Sequence, residues 1–565
     1  MLIPYQYNKM ATGAVVIDPN RASYGIRGVF TFLQNGSCNQ SGMTMPERYL
    51  ISGNVSRMEI FSGGTALQTT VNYGAGVFVQ SGGVLSSTVV NSNGNIQVSS
   101  GGTAVDTELN YSGQLHVSNG GAAQGGHIHS GGRVYASADA LVGGFHLSTG
   151  AGLYGKGANV TFDRTVISIG ADFSAGQFSE VNVLHTTITP NASFWCYSGM
   201  NVTHTTVMSN AMLHLSSGAK CFDVILEAGG KISHGVWGHD SETEVTGSNQ
   251  YGSFYTRNGT ACNYVLASGQ NQQLYYYASA LSTVISSGGT QFVSFGAVAQ
   301  YNTILSQGRQ IIFSGGMALD TLIESGGSQS ADFFGSVVRT RVGSSAWLYV
   351  TNSGRALSTT IEKGGSGYCS YGGQMTSTLV SGWQMFSNGG GGTHVMVANT
   401  GAVCYLRYAC SGSDFNVADG GTLGMSQNCE ITGVNVSNGG CLELYSMCLV
   451  ANLSTGSCSI NAGGYCTLTS VLLGGTLEVS NYCSLSDLQI NSGGVVLMQS
   501  SQCHAMNVHI SKGGSFYLSS YNFATNVTVD SGGLLFVASG ASALAVTSSA
   551  GANITLETGG FIEYV

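Results

Sequence analysis

The chain has 565 residues, of which only 8% are charged, and its formal net charge is −9. Charge this sparse, with no cluster of Lys and Arg, excludes a nucleic-acid partner. A hydrophobic fraction of 43% excludes a disordered chain, and no run approaches the roughly 18 consecutive apolar residues of a membrane-spanning helix.

Residues 1–55 differ from the rest. They hold Pro4, Pro19 and Pro46, with Arg21, Arg27, Glu47 and Arg48, and no Gly-Gly pair. The first 21 residues lack a basic segment followed by an apolar core, so they do not read as a secretory signal. A repeat array exposes the open end of its core and needs an irregular or polar cap. Residues 1–55 are read as that cap.

From 56 to 565 a nineteen-residue period takes over. SGGTALQTTVNYGAGVFVQ, from Ser62, is followed by SGGVLSSTVVNSNGNIQVS and SGGTAVDTELNYSGQLHVS. Each unit opens on a small-Gly-Gly corner and carries an aliphatic anchor nine residues later. The anchors are Val71, Val90, Leu109, Ile128, Leu147 and Val166, then Val207, Leu226 and Val245. They resume at Ile285, Ile304, Ile323, Val342, Ile361 and Val380 and persist, less regularly, at Val417, Val436, Ile490, Ile510 and Val529. A fixed period of this length means a solenoid.

Within a unit the expected elements are two short strands, Thr65 to Val71 and Gly76 to Gln80. Gly pairs suit the corners, and Val, Ile, Thr and Tyr fill the runs between. Recurrent Gly and the lack of an apolar stripe at helical spacing rule out helices. The expected fold is all-β: a single-stranded right-handed parallel β-helix, or β-solenoid. About 26 rungs spaced about 4.8 Å apart would span on the order of 120 Å. Thr69, Thr88, Thr107, Thr186, Thr205, Thr243, Thr283, Thr321, Thr340, Thr359 and Thr378 each stand two residues before an anchor. They should face inward, each hydroxyl bonded to a stacked Thr or a corner carbonyl.

Two steps are irregular: Val166 to Ile188, and the segment from Ser233 to Val245. The second holds His234, His239, Asp240 and Glu242 around Trp237, residue types that bind metals or move protons. Their spacing matches no ligand set, and the segment is read as an exposed polar loop. Carboxylates for glycoside cleavage would have to stand about 5–9 Å apart. The candidates are Asp163, Asp172 and Glu180 at the long step, and Asp320 and Glu324 beside Ile323. None recurs as a group on adjacent turns. The stretch Asn388 to His394 lacks the Lys of a phosphate loop and reads as a corner. Tyr275, Tyr276 and Tyr277 are placed on both faces of a strand, packing between turns or against a sugar. Cys410, Cys429 and Cys448, continued by Cys466, Cys483 and Cys503, read as a ladder at the second Gly of the corner. Parallel side chains are poorly placed for the roughly 90° disulfide torsion, so buried, reduced thiols are expected. No catalytic, cofactor-binding or metal-binding residues are assigned, and no cofactor is expected.

The repeat S-G-G-x-A-x-x-T-x-V, clearest at SGGTALQTTV, SGGTAVDTEL and SGGMALDTLI (from Ser62, Ser100 and Ser314), resembles the AIDA-type repeat of autotransporter adhesin passengers. The resemblance implies a right-handed β-helix at the cell surface or secreted, adhering to host-surface or bacterial-surface glycans or proteins, or to itself. Some members carry O-glycans on repeat Ser or Thr. This sequence departs from the family in three ways. It shows no signal peptide, repeat-like sequence runs to its last strand in place of a membrane barrel, and it is rich in Cys. The expected function is therefore a non-enzymatic adhesin or self-association protein. The alternatives are a trimeric glycan-binding or glycan-cleaving β-helix of the phage-tailspike type and a purely structural repeat protein.

Overall fold

The computed structural model describes residues 57–565, apart from 176–179, 235–242, 251, 258, 438, 446, 461–463, 468 and 500–501. Before residue 57 it describes only the strands Gly13–Val16, Phe30–Gln34, Gly36–Gln40, Thr44–Met45 and Tyr49–Ser52. Those strands pair in parallel with one another or with the first turns of the repeat; the rest of the expected cap lies outside the described residues. The described residues form a parallel β-solenoid of about 25 turns of about nineteen residues, and none of them is helical. It divides into two units, Met1–Gln270 and Asn271–Val565.

The turn is built from local preferences. In the first clear repeat the expected strand from Thr65 to Val71 is broken in two, Thr65–Leu67 and Thr69–Val71. Gln68 between them takes a left-handed conformation, φ 51°. That residue bends the chain and resets the alternation, so Ala66, Thr69 and Val71 are all fully buried. Asp106, Ser282, Asp320 and Ser358 repeat the kink in later turns. A third strand, Gly76–Val79, buries Val77 and Val79 and turns Phe78 outward. Corners close on bonds such as Gly83 N–H to the Gln80 carbonyl at 2.9 Å, while Gly82 N–H donates to the Gly101 carbonyl of the next turn.

Stacking supplies the core. In the first unit Val71, Val90, Leu109, Ile128 and Leu147 are Cα partners in successive turns, and all are fully buried. In the second the column runs Ile285, Ile304, Ile323, Val342, Ile361, Val380. Each such side chain removes apolar area from water at about 25 cal/mol per Å².

Several anchors differ from the sequence reading. Ile167, not Val166, lies above Leu147 and is fully buried, because one extra residue is absorbed before it. Val245 is buried, but it pairs with Cys221 instead of standing above Leu226. From there the chain leaves the parallel pattern: Glu244–Asn249 and Gly252–Arg257 form an antiparallel hairpin, which Thr260–Cys262 extends. Phe254 and Tyr264 fill the core beneath it, ring edge to face at 5.9 Å. The Tyr264 hydroxyl donates to the Ile232 carbonyl at 3.0 Å. In the second unit the column also includes Val397, Thr455 and Val471, reached by steps of unequal length.

The inward Thr are all buried, as their parity requires. The expected partners are mostly missing. Thr340 donates to Gln329 at 2.9 Å, and the Thr243 hydroxyl accepts from Gly218 N–H. The hydroxyls of Thr69, Thr88, Thr107, Thr205, Thr283, Thr321, Thr359 and Thr378 have no partner. Thr88 and Thr107 are Cα partners on successive turns, yet neither hydroxyl bonds the other. A buried hydroxyl without a partner costs about 1–3 kcal/mol. Thr359→Val, which keeps the shape and removes the hydroxyl, should therefore raise stability by about 1 kcal/mol in chemical denaturation.

Candidate interaction surface

Outward positions on the third strand of each turn are stacked as regularly as the core. In the first unit Phe78, Gln97, His116, Tyr135 and Tyr154 are successive Cα partners. Their rings align: His116 and Tyr135 lie 4.8 Å apart and 13° from parallel, Tyr135 and Tyr154 5.2 Å and 20°. The Arg57 guanidinium caps Phe78 at 4.0 Å. The Tyr154 hydroxyl donates to Asp172 at 2.8 Å, and partial burial together with that carboxylate pushes its phenol up to about 12. Two stacked rings on equivalent strands, Trp195 and His214, are 4.1 Å apart, and Trp195 is 47% exposed.

The second unit has a less regular row, interrupted by Ile311, Ser330 and Met385, in which rings meet edge-on across turns. Phe292, Ile311, Ser330, Tyr349, Tyr368, Met385 and Tyr405 are Cα partners in series. Trp347 lies beside Tyr349 at 5.8 Å, 8° from parallel, and edge-on to Trp383 at 6.4 Å. Next to this face, the corner that follows each strand carries a second row. The expectation for Tyr275 to Tyr277 is corrected here, because the strand ends at Leu274. Tyr276 and Tyr277 form the corner at φ 46° and 68°, so their rings project into solvent. Tyr276 stacks on Phe295 of the next corner at 5.8 Å. Phe333, Tyr371 and Tyr408 occupy equivalent left-handed corner positions, each at least half exposed. The signal was available in the sequence, since Tyr276, Phe295, Phe333 and Tyr371 are separated by multiples of nineteen residues. It escapes a reading that tracks the anchors alone.

The same holds inside. Gln272, Gln291, Gln310 and Gln329 form a buried column in which the amides of Gln291, Gln310 and Gln329 each donate to the Gln of the preceding turn at 2.6 Å, while the Gln272 amide nitrogen has no partner. Asn302, which replaces Thr in the inner column, donates to Gln291 at 2.9 Å.

The candidate acids are not brought together. Asp163 pairs with His185 at 2.8 Å and Arg164 at 3.1 Å, while Asp172 begins a strand of another sheet and serves Tyr154. Glu180 is exposed; its backbone carbonyl accepts from Asn159. Asp320 takes both Nε and Nη2 of Arg339, at 2.5 and 2.7 Å, which holds its carboxyl below the ordinary range. Glu324 is exposed. His239, Asp240, Glu242 and Trp237 lie outside the described residues, and His234 is described only as the last residue of the strand Lys231–His234. Asn388 and Gly389 form a corner, but Gly391 to His394, expected to belong to it, begin the strand Gly391–Val397.

The Cys ladder holds with one correction. Cys410, Cys429, Cys448, Cys483 and Cys503 are buried thiols at equivalent corners. The thiols of Cys410, Cys429, Cys448 and Cys483 donate to the carbonyl three residues back, at 2.7–3.0 Å. Cys466 is buried but pairs with Val450 in the strand, two residues beyond the corner. Gly464 takes the corner there, because the preceding step is short.

Two segments, 246–308 and 500–552, match the family model described as "Adhesin of bacterial autotransporter system, probable stalk", AIDA. The repeats in these two segments are similar to that stalk family. No curated protein matches the chain. Among solved structures, the chain is similar to one described as "Crystal structure of TibC-catalyzed hyper-glycosylated TibA55-350 fragment". The identity is 19%, over 89% of this chain and 99% of that one, with a TM-score of 0.18, too low for the two chains to superpose.

Proposed function

We propose that this chain is a non-enzymatic adhesive stalk at the cell surface, with residues 1–55 capping one end of its repeat. Its partner is a neutral surface glycan or protein, or a second copy. The observation that carries this is the stacked, outward aromatic rows on strand and corner faces, in a chain with only 8% charged residues. Ring faces and hydroxyls without net charge suit sugars and apolar protein patches. Equivalent weak contacts repeated along a face gain strength together. The repeat's likeness to an adhesin stalk family supports the same reading.

Beads carrying the full chain should clump or bind cell surfaces. The triple variant Trp347→Ala, Tyr349→Ala, Tyr371→Ala should bind at least about tenfold more weakly, since exposed aromatic anchors contribute about 1 kcal/mol or more each. Its circular dichroism should remain that of the parent. No polysaccharide should be turned over. Cleavage of a glycan panel that is lost in Asp163→Ala, Asp172→Ala or Glu180→Ala would replace this reading with a tailspike-like enzyme.

A further inference from the structure

One pair of thiols does not share the ladder's geometry. Cys196 ends the strand Ser193–Cys196, just before a corner, and Cys221 lies in Lys220–Leu226, just after the corner of the next turn. They therefore approach from two different strands, diagonally across the corner. Cys196 has Leu215 as its partner in the next turn, and Cys221 lies between Val202 and Val245. Both thiols are fully buried, with Sγ atoms 3.4 Å apart. The ladder thiols occupy one equivalent position on successive turns, so their side chains run parallel, and four of them are aimed at carbonyls three residues back.

We propose that Cys196 and Cys221 form an intramolecular disulfide when the chain folds in the presence of an external disulfide, while the corner ladder stays reduced. Bringing 3.4 Å to the roughly 2 Å of an S–S bond needs side-chain rotation on the order of 1 Å. The chemistry is two exchanges. The Cys196 thiolate attacks the external disulfide, forming a mixed disulfide and expelling one thiolate. The Cys221 thiolate then attacks the Cys196 sulfur and expels the second. The two cysteines are oxidised, the external disulfide is reduced to two thiols, and the two cysteine protons end on those thiols. Burial and the neighbouring Cys196 push the Cys221 thiol up, which makes it a poor nucleophile once the core has closed. The first exchange therefore belongs to folding, before the core closes, and the second follows as the two turns stack and bring the sulfurs together. The bridge would tie together the two turns that precede the irregular segment and its hairpin, where the parallel ladder is interrupted. It stands independently of the adhesive reading.

The full chain should be refolded in a mixture of oxidised and reduced glutathione, alkylated after denaturation and mapped without reduction. A Cys196–Cys221 peptide should account for most of both residues, with Cys410, Cys429 and Cys448 recovered alkylated. Wild type refolded with glutathione should melt a few degrees above wild type refolded with excess dithiothreitol. Cys221→Ala should show no such difference and should return Cys196 as a thiol. Recovery of Cys196 and Cys221 both as thiols, or bridges between neighbouring ladder cysteines in their place, would overturn the proposal. So would a melting difference that survives in Cys221→Ala.

Discussion

Ile323→Asp should cost about 3–5 kcal/mol or more, the largest loss expected from any single change in the second unit. Ile323 is fully buried in the anchor column, between Ile304 and Val342. A carboxylate there has no opposite charge within the column. Its choices are an unpaired buried charge or displacement of the strand. Because each turn of a solenoid rests chiefly on its neighbours, the damage should be local. Amide exchange in the turns around residues 304–342 should accelerate by roughly a hundredfold or more, while that of distant turns in the same unit stays near the parent value. Ile323→Val, which removes one methylene, should cost about 1 kcal/mol. Similar exchange in the Asp and Val variants would mean that the column is not the source of stability.

The second large effect is expected at a glycine. Gly126 replaces Thr in the inner column, paired with Thr107. It adopts φ 125°, and a Cβ built there would lie 1.9 Å from the Thr107 carbonyl oxygen. Both the backbone conformation and the space exclude a side chain, and the obstacle is backbone, which cannot swing aside. Gly126→Ala should cost about 3 kcal/mol or more, through strain and displacement of the paired strand. Gly315 provides the contrast. It also has positive φ, 78°, but a Cβ there would meet nothing within 4 Å. Gly315→Ala should cost only the left-handed backbone penalty, about 1–2 kcal/mol. Denaturant midpoints for the two variants separate the contributions, and equal losses would show that crowding at Thr107 is unimportant.

These effects bear on the proposed function through rigidity. An adhesive face made of stacked rings requires consecutive turns to stay in register. Rows such as His116–Tyr135–Tyr154 and Tyr276–Phe295 exist only because the anchors beneath them are Cα partners. A core lesion that shifts one turn should misalign the rings above it without touching them.

The nineteen-residue spacing by itself determined that the chain is a parallel β-solenoid, that the anchors and the Thr two places before them face inward, and that Cys410, Cys429 and Cys448 stack at corners. Each of these follows from a period and a parity, and identical turns place equivalent residues in equivalent surroundings. Only the tertiary structure decided where the period slips. One extra residue in the corner before Thr161 makes pairing select Ile167 over Val166, and a step shortened to 16 residues moves Cys466 off the ladder onto Val450. It likewise decided that Gln68 bends one expected strand into two, that Val245 leads into an antiparallel hairpin, and that most inner Thr hydroxyls go unpaired. The meeting of Cys196 with Cys221 was also beyond the sequence. They are 25 residues apart, off the period, and come together only because two strands converge across a corner.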